Sequence, residues 1–204
     1  LQANKIESGS LRLIEQTDYV FAPKQDGSLA FVGDFEGLYR DVEDPWTQSG
    51  NTSPMARYYS WSRGRLMRLM HEIGPSSVAE IGSGHGNVTS ELQATLPEAK
   101  VVGMDISPTA IMGAQKRYPG LDFRVFDILR GSFQADQKLD VGILCQLLWY
   151  ILEDFDKAIE NSYALLNEGA HLVFSQAFLT SEQRYGADVV DGFLGLIDYM
   201  KSHH

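Results

Sequence analysis

The sequence has a single cysteine, Cys145, which lies within an apolar run. One cysteine excludes a disulfide framework, so we expect a buried structural thiol and a reducing, cytoplasmic location. No uninterrupted apolar run approaches the ~18 residues that a membrane span needs. The first residues also lack the charged-then-apolar pattern of a signal peptide. We therefore expect no membrane insertion.

Basic residues are few, because 17 Lys and Arg stand against 27 Asp and Glu, for a formal net charge of −10. This balance disfavours a nucleic-acid partner, since such binding depends on neutralising phosphates. One helix is predicted to carry a basic cluster, which could equally be a solvated face: Arg57, Arg63, Arg65 and Arg68. The closing His203 and His204 could be a tag remnant, so no metal site is predicted.

The length of 204 residues, with 44% hydrophobic and 22% charged residues, suits one globular α/β domain. Strand and helix patterns alternate after residue 76, which predicts a Rossmann-like, doubly wound and mostly parallel sheet. The predicted order is strand 77–82, helix 86–96, strand 100–105, helix 107–117, strand 121–126, strand 139–145, helix 154–166, strand 170–178 and helix 181–200.

Residues 1–54 have no long helical period and are predicted to form a hairpin and a cap or lid. Two β-prone segments, 19–21 and 29–32, flank a turn-rich stretch and predict the hairpin. The second region, 55–204, begins with an amphipathic helix over 55–73. Its apolar positions recur at mostly helical spacing: Tyr58, Trp61, Leu66, Leu69, Met70 and Ile73.

The stretch 78–87 reads V-A-E-I-G-S-G-H-G-N and predicts a buried strand that runs into a glycine turn and then a helix. Gly82, Gly84 and Gly86 allow a sharp bend and a close approach of backbone to ligand. A dinucleotide fingerprint has its third glycine at the sixth position, where this sequence has Asn87. An NAD-dependent oxidoreductase is therefore disfavoured, and a glycine turn without a ligand stays open.

The pattern E-x-G-x-G-x-G, with Glu80 two residues before the first glycine, resembles motif I of the class I S-adenosylmethionine-dependent methyltransferases. The resemblance implies a methyltransferase domain over 55–204 that moves a methyl group to a small molecule and leaves S-adenosylhomocysteine. It implies that Glu80 accepts from the ammonium group of the cofactor. The methionyl carboxylate would lie at the helix N-terminus, against Gly82, Ser83, Gly84 and Gly86.

Residues at the ends of the next two strands fit the same ligand. Asp105 follows the first glycine by roughly 20 residues, the offset at which a carboxylate meets ribose hydroxyls, although a helix-capping aspartate is the alternative. By the resemblance, Asp127 would take the exocyclic amine of adenine. Ile106 and Ile128 would form a slot for the adenine ring, while core packing explains them as well.

A narrower likeness joins the N-terminal region to methyltransferases related to nodulation-factor N-methyltransferases, which act on amino sugars. It rests on L-Y-R at 38–40, D-P-W at 44–46 and a helix with Tyr59 and Arg63. The likeness implies that Trp46 shapes the pocket and that Arg63 reaches the cofactor carboxylate. A solvent-facing arginine is the alternative. The methyl acceptor would be a nitrogen or oxygen, for example of a sugar or amino sugar.

Two departures from the family concern the acceptor side. Ser60 stands where the narrower group has Glu, and after the fourth strand Gln146 replaces an acid while Tyr150 takes the place of a His. We expect Tyr150 and Gln146 to orient an acceptor for in-line attack, which needs no strong base for an amine. Gln146 is also expected to contact the cofactor. Tyr150 and Trp149 could instead be core aromatics. A non-catalytic cofactor-binding or regulatory module therefore stays an alternative.

A third departure concerns the sheet edge. Class I methyltransferases usually add an antiparallel hairpin after the last helix, and too little sequence follows Met200 to form it. Unless the chain is truncated, we expect the N-terminal hairpin or a partner subunit to complete this edge. We predict a monomer or a homodimer.

Overall fold

A computed structural model describes residues 4–7, 10–13, 16–48, 55–131, 138–180 and 182–203. The strands and helices follow one another as β1 Asn4–Glu7, β2 Ser10–Leu13, β3 Phe21–Pro23, β4 Leu29–Phe31, α1 Phe35–Asp41, α2 Ala56–Ile73, β5 Ser77–Ile81, α3 Asn87–Thr95, β6 Lys100–Asp105, α4 Pro108–Arg117, β7 Asp122–Val125, β8 Leu139–Cys145, α5 Phe155–Ala164, β9 Leu166–Ser175 and α6 Gly192–His203.

Strands β5 to β9 form one five-stranded sheet in the order β7-β6-β5-β8-β9, and each pair of neighbours is parallel. Successive side chains point to opposite faces, so Val78 packs with Met70 and Leu92 below α2 and α3, while Ala79 joins the core that includes Ile159 of α5. With both faces covered, every residue of β5 is buried. The predicted Rossmann-like fold is confirmed.

Strands β6 and β8 have the predicted bounds, whereas the end of the sheet differs. Helix α5 ends at Ala164 instead of 166, because Leu166 already pairs with Leu139 in the sheet and is buried there. The last helix begins at Gly192 instead of 181. Before it, Gln183 holds a turn by donating to the carbonyls of Tyr185 and Val190.

The predicted N-terminal hairpin is present, since β3 and β4 pair antiparallel with Phe21 opposite Phe31. It forms a separate two-stranded sheet, so the expectation that it completes the open edge at β9 is wrong. The hairpin instead meets the loop before α6, where the Leu29 amide donates to the Arg184 carbonyl and the Arg184 guanidinium donates to the Gly27 carbonyl. In the described ranges, β9 pairs only with β8.

Two further elements of the N-terminal region were not predicted: the pair β1 and β2, and the seven-residue helix α1. Helix α1 is too short to show a helical period, and its start is fixed by Asp34, which accepts from the Gly37 amide at 2.8 Å. In α2, the apolar stripe is narrower than predicted, because Trp61 and Leu69 are 61% and 39% exposed. No described helix is both long and apolar enough to cross a membrane.

Candidate functional site

A cavity of about 290 Å³ lies at the carboxyl ends of the parallel strands, below the N-terminal cap. This is where ligands bind in open parallel sheets. Of the residues that the sequence predicts for the site, only Gly86 is not in its wall. The others are Trp46, Arg63, Glu80, Gly82, Ser83, Gly84, Asp105, Ile106, Asp127, Ile128, Gln146 and Tyr150.

The glycine loop is fixed by conformation and by space. Gly84 has φ +52°, and a Cβ there would lie 2.5 Å from the hydroxyl oxygen of Tyr39. Gly86 has φ +77°, and a Cβ there would overlap the ring of Phe123. Both positions therefore require glycine. Gly86 serves the packing of the loop against β7 and caps α3, which explains why it is absent from the cavity wall.

Ser83 adds an unsatisfied polar group to this loop. It is 7% exposed, and its hydroxyl finds no hydrogen-bond partner within the described part of the chain. Buried hydroxyls are nearly always satisfied in native proteins. Because Ser83 belongs to the cavity wall beside the start of α3, a polar ligand group placed there would satisfy it.

Glu80 lies at the base of the loop and is only 2% exposed. Its carboxylate accepts from the Thr89 hydroxyl at 2.5 Å. Burial raises the pKa of Glu80 to about 8, while the Thr89 bond and the nearby Arg63 charge act in the opposite direction. A cationic ligand group beside Glu80 would stabilise its charged form. The sequence reasoning missed Thr89, whose signal is its place in the first turn of the helix after the loop.

Asp105 braces the loop from the end of β6. Its carboxylate accepts from the amides of Gly84 at 2.7 Å and Ser107 at 2.9 Å. Burial raises the pKa of Asp105 to about 6, and these two backbone bonds lower it. Since the two carboxylate oxygens have four lone pairs in all, acceptor capacity for a ligand remains beyond the amides of Gly84, Ser107 and Ile106. The helix-capping alternative for Asp105 is wrong, because Ser107 is the N-cap of α4, and Asp105 holds the turn before it.

The third strand end places Asp127 and its apolar neighbour in the same wall. Asp127 accepts from the Leu129 amide at 2.9 Å and pairs with Arg130 at 3.3 Å. Ile128 is 7% exposed, whereas Ile106, at the end of β6, is 47% exposed. Ile128 therefore joins the core and the cavity together, and Ile106 forms the rim.

Residues 44–48, here called the strap, cross the cavity from the cap. Trp46 donates through Nε1 to the Tyr39 hydroxyl at 2.8 Å, and the Tyr59 hydroxyl donates to the Trp46 carbonyl at 3.0 Å. Arg63 donates to Gln48 Oε1 at 2.8 Å, and Asn87 donates to the same oxygen at 3.2 Å. The strap is thereby attached to α1, α2 and α3.

Arg63 is largely enclosed, with its side chain 12% exposed. Besides Gln48, it pairs with Glu91 at 3.0 Å and lies over the ring of Tyr59. The solvent-facing alternative is therefore wrong, because this guanidinium lies in the cavity wall between the strap and the glycine-loop helix. Gln48 was missed by the sequence reasoning, since the contact depends on how the strap crosses α2.

The two residues predicted on the acceptor side have different surroundings. Tyr150 packs against the rings of Phe21, Phe35 and Trp46, with centroids 5.2 to 6.1 Å away. Burial raises its pKa to about 12, so its phenol stays protonated at neutral pH. Gln146 has φ +57°, and its side-chain amide donates to the Tyr58 hydroxyl and the Ser175 carbonyl and accepts from the Ala177 amide.

Other side chains complete the wall. His85 lies edge-on to Tyr39 at 5.0 Å, and burial lowers its pKa. Phe31, Phe35 and Tyr58 were not predicted as site residues and add aromatic surface. Over the described residues, no three His, Cys, Asp or Glu side chains converge in a metal-binding arrangement.

The parallel sheet and its glycine-loop site are similar to those of class I S-adenosylmethionine-dependent methyltransferases. Residues 79–172 match the family model for a methyltransferase domain. The chain is also 41% identical over 63 residues to trans-aconitate 2-methyltransferase from Methylobacterium nodulans, a match that covers 31% of this chain and 24% of that protein. The chain thus spans about a quarter of the curated relative it matches.

Within this class the chain is close to NodS, the N-methyltransferase of Bradyrhizobium japonicum WM9. One NodS structure aligns with a TM-score of 0.54 and 25% identity, covering 74% of this chain and 84% of NodS. A NodS complex with S-adenosylhomocysteine aligns with a TM-score of 0.52 and 29% identity, covering 65% and 66%.

Proposed function

We propose that this chain binds S-adenosylmethionine in the cavity and transfers its methyl group to a nitrogen or oxygen of a small molecule. One observation carries the proposal. Glu80 and Ser83 at the glycine loop, Asp105 at the end of β6 and Asp127 after β7 belong to one cavity wall, in the order that the cofactor requires. The cofactor bound in the NodS complex supports the same ligand.

The side chains suit the separate parts of this ligand. Glu80 offers a buried carboxylate to the ammonium group, and the N-terminus of α3 with Ser83 and Arg63 offers donors to the methionyl carboxylate. The remaining acceptor capacity of the Asp105 carboxylate suits the ribose hydroxyls. Ile128 and Asp127 suit the adenine ring and its amine.

When bound, the sulfonium supplies an electrophilic methyl group. The chain then has to hold the acceptor in line and exclude water. The protonated Tyr150, set among the rings of Phe35 and Trp46, provides a polar group in an apolar wall. Since Tyr150 is a poor base, an amine that attacks through its neutral lone pair fits better than a hydroxyl that must lose a proton.

An amino sugar is the acceptor we favour. Aromatic walls bind the apolar faces of sugars, and Trp faces attract cations. The exposed surface of Phe31, Phe35 and Trp46 in the cavity suits such a ligand. The relation to NodS, described as an N-methyltransferase, supports nitrogen as the methylated atom.

Binding and turnover test the proposal in two steps. Titration of the purified chain with S-adenosylhomocysteine in a calorimeter should give saturable heat, whereas NADH should give none. Labelled S-adenosylmethionine should then be consumed with at least one member of a panel of amino sugars, sugars and phenols. Absence of heat with S-adenosylhomocysteine contradicts cofactor binding itself.

A second candidate is a cofactor-binding module without turnover. The hydrogen bonds of Gln146 favour it, because the position that carries an acid in relatives holds a neutral amide whose two N–H groups are both used within the chain. Saturable binding of S-adenosylhomocysteine, with no methyl transfer to any member of the panel, would support this second candidate over the first.

A further inference from the structure

Tyr58 and Gln146 form a bonded pair in the cavity wall that the proposed function leaves unused. Gln146, after β8, donates through Nε2 to the Tyr58 hydroxyl oxygen at 2.5 Å and to the Ser175 carbonyl at 3.0 Å. Its Oε1 accepts from the Ala177 amide at 3.1 Å. Both side chains belong to the cavity wall. The pair therefore links α2 and the end of β9 at the cavity.

The bonds of Gln146 fix the direction of this hydrogen bond. A backbone carbonyl such as that of Ser175 only accepts, and a backbone amide such as that of Ala177 only donates. Rotating the Gln146 amide by 180° would place Oε1 against the Ser175 carbonyl oxygen, two acceptors, and Nε2 against the Ala177 amide, two donors. Gln146 must therefore donate to Tyr58, and the hydroxyl proton of Tyr58 points to a different partner.

The backbone of Gln146 gives a second, independent observation. Its φ of +57° lies in the left-handed region, which residues with a side chain rarely adopt. Strained conformations of this kind cluster where a site needs a side chain in one direction. Here the strained residue directly follows strand β8 and directs its amide at Tyr58.

The surroundings keep Tyr58 a donor. Burial raises its pKa, while Gln146 and the neighbouring Ser62 lower it, and the phenol stays protonated at neutral pH. Ser62 uses its own proton toward the Tyr59 carbonyl at 3.2 Å, so its oxygen is the acceptor within the chain for the Tyr58 proton, and a ligand oxygen in the cavity would have to replace it. A hydroxyl that receives a hydrogen bond becomes a stronger donor in turn.

We infer that Tyr58 binds the methyl acceptor by donating a hydrogen bond to an oxygen beside the attacking atom, and that Gln146 is the positioning residue that orients this hydroxyl. The inference rests on the proposed function and deepens it. It assigns an acceptor class with a hydroxyl or carbonyl oxygen next to the methylated atom.

The test measures steady-state kinetics with the acceptor that turns over best. Tyr58→Phe keeps the ring and removes the hydroxyl, and we expect the KM for the acceptor to rise about tenfold, as for the loss of one hydrogen bond. The Kd for S-adenosylhomocysteine should not change. Gln146→Met keeps a similar length without the amide and should also raise this KM. Tyr163→Phe, on the exposed side of α5, is the control.

Two readouts separate positioning from a structural role. In the Tyr58→Phe background, Gln146→Met should add less than twofold to the KM, because the group it orients is gone. An acceptor analogue without the neighbouring oxygen should show the same KM with wild type and Tyr58→Phe. Additive effects of the two substitutions would overturn the role of Gln146.

The inference and the proposed function fail in different ways. Turnover by wild type with an unchanged acceptor KM in Tyr58→Phe would overturn the inference alone. An equal loss of S-adenosylhomocysteine affinity in Tyr58→Phe would do so too, because it assigns Tyr58 to the cofactor. Cofactor binding by wild type without turnover of any acceptor would overturn the proposed catalysis and the inference with it.

Discussion

The two halves of the cavity wall are stabilised in different ways. In the glycine-loop half, polar contacts lie within one strand-helix-strand unit, as between Glu80 and Thr89 or between Gly84 and Asp105. In the strap half, they join segments from separate helices, as when Arg63 of α2 holds Gln48. The contacts of the glycine-loop half therefore join residues that are near in sequence, whereas those of the strap half depend on tertiary packing.

The largest expected effect would come from disrupting the glycine-loop half. Gly84→Ala places a Cβ 2.5 Å from the Tyr39 hydroxyl at a positive φ, so we expect S-adenosylhomocysteine to bind at least about 100-fold more weakly. Gly120→Ala is the matched control, because its Cβ meets open space. Calorimetry measures both variants, and wild-type affinity in Gly84→Ala would contradict the geometry of the loop.

Glu80→Gln sharpens the comparison by removing a charge while keeping the shape. Because the pKa of Glu80 is about 8, we expect wild-type affinity for S-adenosylhomocysteine to rise between pH 6 and 8.5 as the carboxylate ionises. Glu80→Gln should bind about tenfold more weakly at pH 8.5 and lose most of this pH dependence. A pH profile that is identical in both proteins would refute the role of Glu80.

The pH dependence of folding stability, measured without ligand, should be opposite to that of binding: wild type should lose stability as pH rises, and Glu80→Gln should not. The carboxyl pKa is raised from 4.5 to about 8 on folding, so the folded state binds more protons than the unfolded state between these pH values. Stability from this group is present below pH 4.5 and is lost as pH rises through 8. Without ligand, the Tm of Glu80→Gln minus the Tm of wild type should increase from pH 5 to pH 9. A constant difference would argue against a buried, neutral Glu80.

Trp46→Phe tests the strap half with a smaller expected effect. It removes the hydrogen bond to Tyr39 and keeps an aromatic ring, so we expect about fivefold weaker binding of S-adenosylhomocysteine, from the loss of about 1 kcal/mol. Trp61→Phe, on the exposed side of α2, is the control. If both variants bind like wild type, the strap does not contribute to the cofactor side.

Glu36→Gln has the smallest expected effect and probes the contact between α1 and α4. Glu36 of α1 accepts from the hydroxyls of Ser107 and Thr109, both at 2.5 Å, at the start of α4. These hydrogen bonds lower its pKa. We expect the Tm to fall by about 2 °C at pH 7, and the difference from wild type to shrink as pH falls through the carboxyl pKa. Glu160→Gln, on the exposed face of α5, should leave the Tm unchanged.

The sequence predicts the glycine-loop half well because its signals come from residues that are near one another in the chain. An apolar run bounded by turn residues defines β5, β6 and β8, and the acids at the strand ends follow from chain direction alone. The strap half shows no such period. Neither the contact between Tyr59 and Trp46 nor the strained Gln146 can be derived without the packing of α2 on the sheet. The prediction that the last helix begins at residue 181 was wrong. In the loop before α6, the Gln183 side chain donates to two backbone carbonyls, which competes with helical hydrogen bonding.

The strap also implies how a ligand reaches the cavity. Four hydrogen bonds tie it to three helices, and at about 1 kcal/mol each they would hold the open form near one molecule in a thousand. A ligand that enters only the open form binds with an affinity reduced by that fraction. Loosening the strap would then speed both the binding and the release of the ligand. An intact strap therefore slows ligand exchange and keeps the ligand enclosed.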